Sequence, residues 1–187
     1  PVTARVTNAL DRAIIFEKGG DAIWYHGAII RYNSKIDNQW YERSVNILKE
    51  ARVSFEKMIE LLEKNNLDNY FKISSSKYED LDNQQLQVLI RNNDNSILDK
   101  DLVTDLLKNL TSDDLYCHKQ RNYITFLPKG ISKREAVNYL IKKEDFDLTI
   151  GCGDSDVDLG FMSLCDYAVI PKKSLLLETM NEENKYE

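Results

Sequence analysis

The chain has 187 residues, 42% of them hydrophobic and 30% charged, with a formal net charge of −6. That allows one large domain or two small ones around a real core, and the acidity argues against a general nucleic-acid binder, which needs a basic stripe to release counterions. No apolar run approaches the roughly 20 residues that span a bilayer, no charged-then-apolar leader is seen, and Cys117, Cys152 and Cys165, without CxxC spacing, fit a reducing, cytoplasmic setting better than a disulfide framework.

The first residues, Pro-Val-Thr-Ala-Arg, read as a strand end entering a turn, so a segment upstream of Pro1 is expected. Thr7 or Asn8 caps a predicted helix to about Phe16, and Lys18-Gly19-Gly20-Asp21 is a turn signal. Residues 22 to 30 read as two short strands bent at Gly27. From Asn38 to Asn66 the period becomes helical, with Val45, Leu48, Ala51, Phe55, Met58 and Leu62 on one face. Strands are expected at Tyr70 to Ser74 and Leu86 to Arg91, with a polar loop between them. A second amphipathic helix is expected at Asp99 to Leu110, then a strand pair, Leu115 to Cys117 and Tyr123 to Leu127, around a turn at 119–122. After the Pro128-Lys129-Gly130 break, Ser132 and Glu135 form a capping-box signature for a helix to about Lys143. A buried strand, Asp147 to Cys152, a helix over 157–165 and a short strand at Ala168 to Ile170 follow, and the polar tail after Thr179 frays.

This order predicts an α/β fold, a parallel-sheet core interrupted by a smaller α+β domain. Core segments are expected at 1–33 and 126–187, and the insert at 34–125.

Residues 148 to 162 carry the strongest chemical signal. An apolar run ends in Gly151-Cys152-Gly153, and Asp154, Asp156 and Asp158 follow at alternate positions. Ligands bind outside the carboxyl ends of strands in open α/β sheets, and clustered acids there suit a hard cation. The plainer reading is a solvated turn in which Asp154 and Ser155 cap the next helix. Thr3, followed by Ala4 and Arg5, offers a hydroxyl and backbone N–H groups to a phosphate oxygen, or is an ordinary N-cap. Lys133, in the first turn of its helix, opposes the helix dipole unless an anion lies nearby; otherwise it is a surface lysine. Cys152 is expected to be an inert thiol on a buried strand. Trp24 and Trp40 are expected in the core or at a domain interface, and Tyr116, His118, Lys119 and Arg121 either touch substrate from a hairpin or, the plainer reading, are solvated there.

Taken in order, Thr3-Ala4-Arg5, the helix beginning Gly130-Ile-Ser-Lys133-Arg-Glu-Ala136, and Gly153-Asp154-Ser155-Asp-Val157-Asp158 resemble the haloacid dehalogenase superfamily. The spacing is similar to that of its phosphatases with a large α/β cap, such as sucrose-phosphate phosphatase-like proteins. The ending resembles the haloacid dehalogenase-like proteins of bacterial tellurite-resistance clusters. The resemblance implies a Rossmann-like core with an inserted cap, and a Mg²⁺-dependent phosphatase acting on a small phosphorylated metabolite, such as a sugar phosphate, through an aspartyl-phosphate. A non-catalytic binding protein and a phosphomutase are the alternatives. It implies that Thr3 and Ala4 bind phosphate, that Lys133 offsets charge, that Asp154 holds Mg²⁺ with Asp158 as ligand or support, and that Ser155 assists. His26-Gly27-Ala28 stands where such families often carry Asn-Gly-Ala, and Val157 where Asn is common. The family's nucleophilic Asp lies on a strand before the Thr motif. Asp145-Phe-Asp147-Leu-Thr149 fits its spacing but follows a lysine-rich helix and is rejected. The nucleophile is therefore expected upstream, in a segment of the same protein missing from this stretch, and these 187 residues alone are expected to turn over little substrate.

Overall fold

The structure is a computed structural model that describes residues 1–7, 20–64, 71–94, 112–119 and 122–183. The helices expected at 8–16 and Asp99–Leu110, the Lys18-Gly19 half of the first turn signal and Arg121 lie outside the described residues. The chain divides into two compact units, residues 1–40 with 132–187, and residues 41–131. Sequence alone put these divisions near 34 and 125. Residues 34 to 36 stay in the first unit because Lys35–Ile36 pairs with the preceding strand, and Tyr123–Pro128 is one unbroken strand of the second unit's sheet.

In the first unit, β1 (Ala22–Trp24), β2 (Ile29–Tyr32) and β3 (Lys35–Ile36) form an antiparallel sheet in that order. A tight turn at Tyr25–Gly27 joins the first two strands, as the bend expected at Gly27 requires. Val2 bridges Ile23 in parallel on the other edge of β1. Trp24 and Trp40 are both buried. The core gathers Ile23, Ile30, Trp40, Ala136, Val137, Phe161 and Met162.

The second unit takes most of α1 (Asn38–Lys64) and a four-stranded antiparallel sheet, β4–β7–β9–β8. Its strands are β4 (Phe71–Ser74), β7 (Val88–Asn92), β8 (Leu115–Lys119) and β9 (Tyr123–Pro128). Asp37 starts the helix, its Oδ1 accepting the Trp40 N–H at 3.0 Å, as an N-cap does. The apolar stripe Ala51, Phe55, Met58 and Leu62 then packs on Phe71, Val88, Ile90, Leu115, Ile124 and Phe126. Each of the larger side chains contributes about 1.5–3 kcal/mol, which holds the helix to one face of the sheet. The segment expected to be a loop holds a small ribbon, β5 (Lys77–Tyr78) with β6 (Gln84–Gln85).

Back in the first unit, α2 (Lys133–Lys143) leads to β10 (Ile150–Cys152), α3 (Asp156–Met162), β11 (Tyr167–Val169) and α4 (Leu175–Glu183). β10 and β11 pair in parallel. The strand expected to be buried is not: Ile150 is 61% exposed and Cys152 is exposed as well. Among the described residues β10 hydrogen-bonds to β11 alone, so its other edge stays open. That edge borders an apolar groove of about 280 Å³ whose walls include Val2, Ile23, Leu140, Leu148 and Ile150. No helix among the described residues is long and apolar enough to cross a membrane.

Candidate functional site

The acidic turn follows the carboxyl end of β10 and leads directly into α3. Gly153 makes that sharp departure possible. A Cβ there would lie 2.3 Å from the Asp158 Cβ and 2.6 Å from the Met162 sulfur, so no larger residue lets the helix fold back this closely.

The three carboxylates of the turn have three different fates. Asp158 turns inward: its Oδ1 accepts from the Lys133 ammonium at 2.7 Å. Its Oδ2 accepts from the Ser155 hydroxyl at 2.9 Å and from the backbone N–H groups of Asp154 and Ser155 at 3.2 and 3.3 Å. These donors therefore crowd Oδ2, while Oδ1 meets the Lys133 ammonium. Asp156 accepts the Val157 N–H at 2.8 Å and stays on its own helix end. Asp154 is exposed, and its backbone, rather than its carboxylate, is what the turn uses.

Burial alone would raise the Asp158 pKa. The Lys133 hydrogen bond and charge, helped by Ser155 and the Asp154 N–H, outweigh it and hold the carboxyl below its usual range. The same pairing answers the helix-dipole problem of Lys133, whose cation sits at the amino end of α2 with its counter-ion supplied from α3. Ser132 caps α2 as expected, its Oγ accepting the Glu135 N–H at 3.1 Å.

The hairpin turn at Tyr25–Gly27 fixes the start of α2. Tyr25, His26 and Gly27 all have positive φ. A Cβ on Gly27 would fall 2.3 Å from the Ser132 carbonyl oxygen and 3.0 Å from the Lys133 nitrogen, so the turn lies flat against the peptide that carries Lys133. The Trp40 indole N–H donates to the Gly27 carbonyl at 2.8 Å and holds the turn there. His26, at φ 58° and ψ 14°, occupies the left-handed region that Asn, Asp and His enter most readily. That is a physical reason for His or Asn at this point.

Lys133, Asp154, Ser155 and Asp158 thus form one hydrogen-bonded group. Thr3 and Ala4 stand outside it. The Thr3 N–H donates to the Ile23 carbonyl at 2.9 Å and its Oγ1 accepts the Arg5 N–H at 3.2 Å, while Ala4 is exposed. Asp145 and Asp147 precede β10, at the opposite end of the strand from Asp154.

Two supports were not anticipated. Ser174 is buried and caps α4, its Oγ accepting the Leu177 N–H at 3.2 Å, and the Leu176 N–H donates to the Asp154 carbonyl at 3.1 Å. The serine before a leucine run was the available signal. The other support is Asp37, which accepts from the Tyr139 hydroxyl at 3.0 Å and from Lys143 at 2.6 Å. No local sequence pattern links partners more than a hundred residues apart.

Among the described residues, no group of three or more His, Cys, Asp or Glu side chains could by itself hold a metal ion. Of the turn's two exposed carboxylates, Asp156 already accepts the Val157 N–H, which leaves Asp154 as the better placed donor. That donor set does not suit zinc or calcium, which take several protein ligands, but it fits Mg²⁺, which binds through one or two carboxylates and completes its shell with water and phosphate.

A family model described as haloacid dehalogenase-like hydrolase matches residues 4–173. Solved structures share the fold at low identity. The sucrose-phosphatase of Synechocystis, solved with sucrose and phosphate, is 16% identical with a TM-score of 0.64, over 96% of this chain and 70% of that one. The protein SMU.1108c of Streptococcus mutans is 12% identical with a TM-score of 0.65, over 96% and 76%. A trehalose-6-phosphate phosphatase related protein is 15% identical with a TM-score of 0.51, over 98% and 82%. A comparison with curated protein sequences finds no match.

Proposed function

Because this chain belongs to the haloacid dehalogenase-like hydrolase family, we propose that it is the phosphate- and metal-supporting part of a Mg²⁺-dependent phosphatase for a small phosphorylated metabolite. The observation that carries the reading is the Lys133–Asp158–Ser155–Asp154 group at the carboxyl end of β10. Phosphoryl transfer needs mainly positioning and charge compensation, and this group supplies both. Asp158 holds the Lys133 ammonium in place, and Ser155 and the turn amides fix Asp158. Asp154 would hold Mg²⁺, which when bound supplies charge neutralisation at the phosphate oxygens. Of the two roles open to Asp158, support is favoured by its ion pair with Lys133 and the three donors on its Oδ2. Thr3 would donate its hydroxyl, and Ala4 its backbone N–H, to the phosphoryl group. The attacking Asp of the proposed aspartyl-phosphate route would come from a segment upstream of Thr3. The sugar-phosphate class is suggested by what the sucrose-phosphatase and the trehalose-6-phosphate phosphatase related protein are called.

The test is Mg²⁺-dependent release of phosphate from a panel of sugar phosphates by the protein with its upstream segment, beside its Asp154→Asn variant. The reading expects activity that Asp154→Asn reduces by a hundredfold or more. Equal activity in both removes Asp154 from the metal site, and phosphate binding without turnover in the intact protein favours a binding protein of the same fold.

A further inference from the structure

Asp158 holds the ammonium of Lys133, but other residues of the first unit place the Lys133 backbone. The Gly27 turn lies against the Ser132–Lys133 peptide, where a Cβ on Gly27 would fall 2.3 Å from the Ser132 carbonyl oxygen. The turn is held by Trp40, whose indole N–H donates to the Gly27 carbonyl at 2.8 Å and which is 2% exposed. Trp40 is fixed in turn by Asp37 and Tyr139. Its backbone N–H donates to the Asp37 Oδ1 at 3.0 Å, and its ring leans on that of Tyr139 with centroids 4.8 Å apart. The Tyr139 hydroxyl donates to the same Asp37 oxygen at 3.0 Å, and Lys143 bonds the other at 2.6 Å. The Asp37 backbone is itself anchored, its N–H donating to the Ile30 carbonyl of β2 at 2.9 Å. Tyr139 and Lys143 lie on α2, the helix that Lys133 begins. The contacts therefore close a circuit from Lys133 through Gly27, Trp40, Asp37 and Tyr139 and back along α2. Apolar packing alone tolerates small shifts, whereas a buried indole N–H aimed at one carbonyl has a single satisfied position.

We propose that Trp40 and Asp37 are positioning residues that set, through the Gly27 turn, where the Lys133 ammonium stands to meet a phosphate. The inference deepens the proposed function and rests on it. Neither residue touches the substrate; both act through Lys133. Trp40 fixes the turn that lies on the Lys133 peptide, and Asp37 fixes Trp40 against α2. A displacement of about 1 Å at a charge-compensating group is enough to lower a rate about a hundredfold, so a contact two steps removed from Lys133 matters to the chemistry.

Trp40→Phe tests it, because it keeps a ring against Tyr139 and loses the indole donor. Two readouts separate positioning from mere support of the fold. The first is the Lys133 ammonium NMR signal of the isotope-labelled chain, slowed in exchange by its bond to Asp158 and assigned by its loss in Lys133→Met. It should broaden or disappear in Trp40→Phe while the amide spectrum stays folded. The second is phosphate release by the protein with its upstream segment, per folded molecule. There kcat should fall about tenfold or more with KM within about twofold, the pattern of an interaction made mainly in the transition state. Loss of folded protein alone would leave both values unchanged. Should Trp40→Phe fail to fold, Asp37→Ala makes the same test, and Asp37→Asn, which keeps an oxygen to accept the Trp40 N–H, should restore most of the signal and the rate. An unchanged Lys133 signal in a folded variant, or an unchanged kcat in an active one, would overturn the inference. A perturbed Lys133 signal in a protein whose parent releases no phosphate would uphold the positioning of Lys133 and count against the proposed function instead.

Discussion

The Lys133 ammonium and the Asp158 carboxylate, 25 residues apart in sequence, meet at 2.7 Å with only 16% and 7% of their side chains exposed. This pair joins the amino end of α2 to the first turn of α3, so it fixes both elements that bound the candidate site.

Two carboxylates of the turn should respond differently to mutation. Asp158→Asn leaves Lys133 without its counter-ion in a nearly buried position, and breaking such a pair costs about 3 kcal/mol. Asp154→Asn changes an exposed side chain, and the cost stays within about 0.5 kcal/mol. Urea denaturation of the two variants reads the difference. Equal losses would mean that the turn is not anchored through Asp158.

Glycine substitutions probe the packing of the same turn with opposite signs. At Gly153 a methyl group meets the Asp158 Cβ and the Met162 sulfur, and forced overpacking costs about 1–3 kcal/mol or more. At Gly160, inside α3, the nearest atom to a new Cβ is the Arg134 Cβ at 3.5 Å, an ordinary contact. Alanine there gains roughly 0.5–1 kcal/mol of helix stability. Thermal unfolding should therefore place Gly153→Ala below the parent and Gly160→Ala above it.

Much of this arrangement was legible from residue order. The period of α1, the Ser132 cap, the bend at Gly27 and the turn after Cys152 are local patterns, and each recurs in the structure close to where it was read. The exposure of β10 was not legible, because an apolar run shows what a strand can bury and not which of its edges is paired. Nor was the inward turn of Asp158 distinguishable from the outward one of Asp154. The difference comes from Lys133, which only the folded chain brings near. The α4 cap was not legible either, because Ser174 stands between two lysines and a short leucine run at the edge of a polar tail, where a cap and a frayed end read alike.

Ser174 gives a further test. Removing its cap from α4 by Ser174→Ala costs about 1 kcal/mol and loosens the hydrogen bond from the Leu176 N–H to the Asp154 carbonyl. Ser174→Asp, which can still accept the Leu177 N–H, should recover most of the loss. Titration of Mg²⁺ into both, followed at the Asp154 amide, should show weaker binding in Ser174→Ala and near-parent binding in Ser174→Asp. A Ser174→Ala chain as stable as the parent would mean that α4 does not support the turn.

The depressed pKa of Asp158 sets a pH dependence whose sign is fixed. An ordinary unfolded carboxyl titrates near pH 3.9, and the folded group titrates lower, because Lys133, Ser155 and the Asp154 N–H outweigh its burial. The stabilisation is therefore fully present above about pH 4 and is lost as pH falls through the folded value. In Lys133→Met the main lowering influence is gone and burial remains, so the Asp158 pKa moves upward and the carboxylate opposes folding at neutral pH. The stability gap between parent and Lys133→Met should be widest near pH 7 and narrow steadily below about pH 4, as protonation makes Asp158 neutral in both. Asp37 and Asp166 also titrate low, but they are common to both chains and cancel in the difference. Urea midpoints for the pair across this range, with the Asp158 carboxyl followed by NMR, measure both effects. A gap that stays constant down to about pH 3 would show that the Lys133–Asp158 pair does not carry the charge compensation assigned to it.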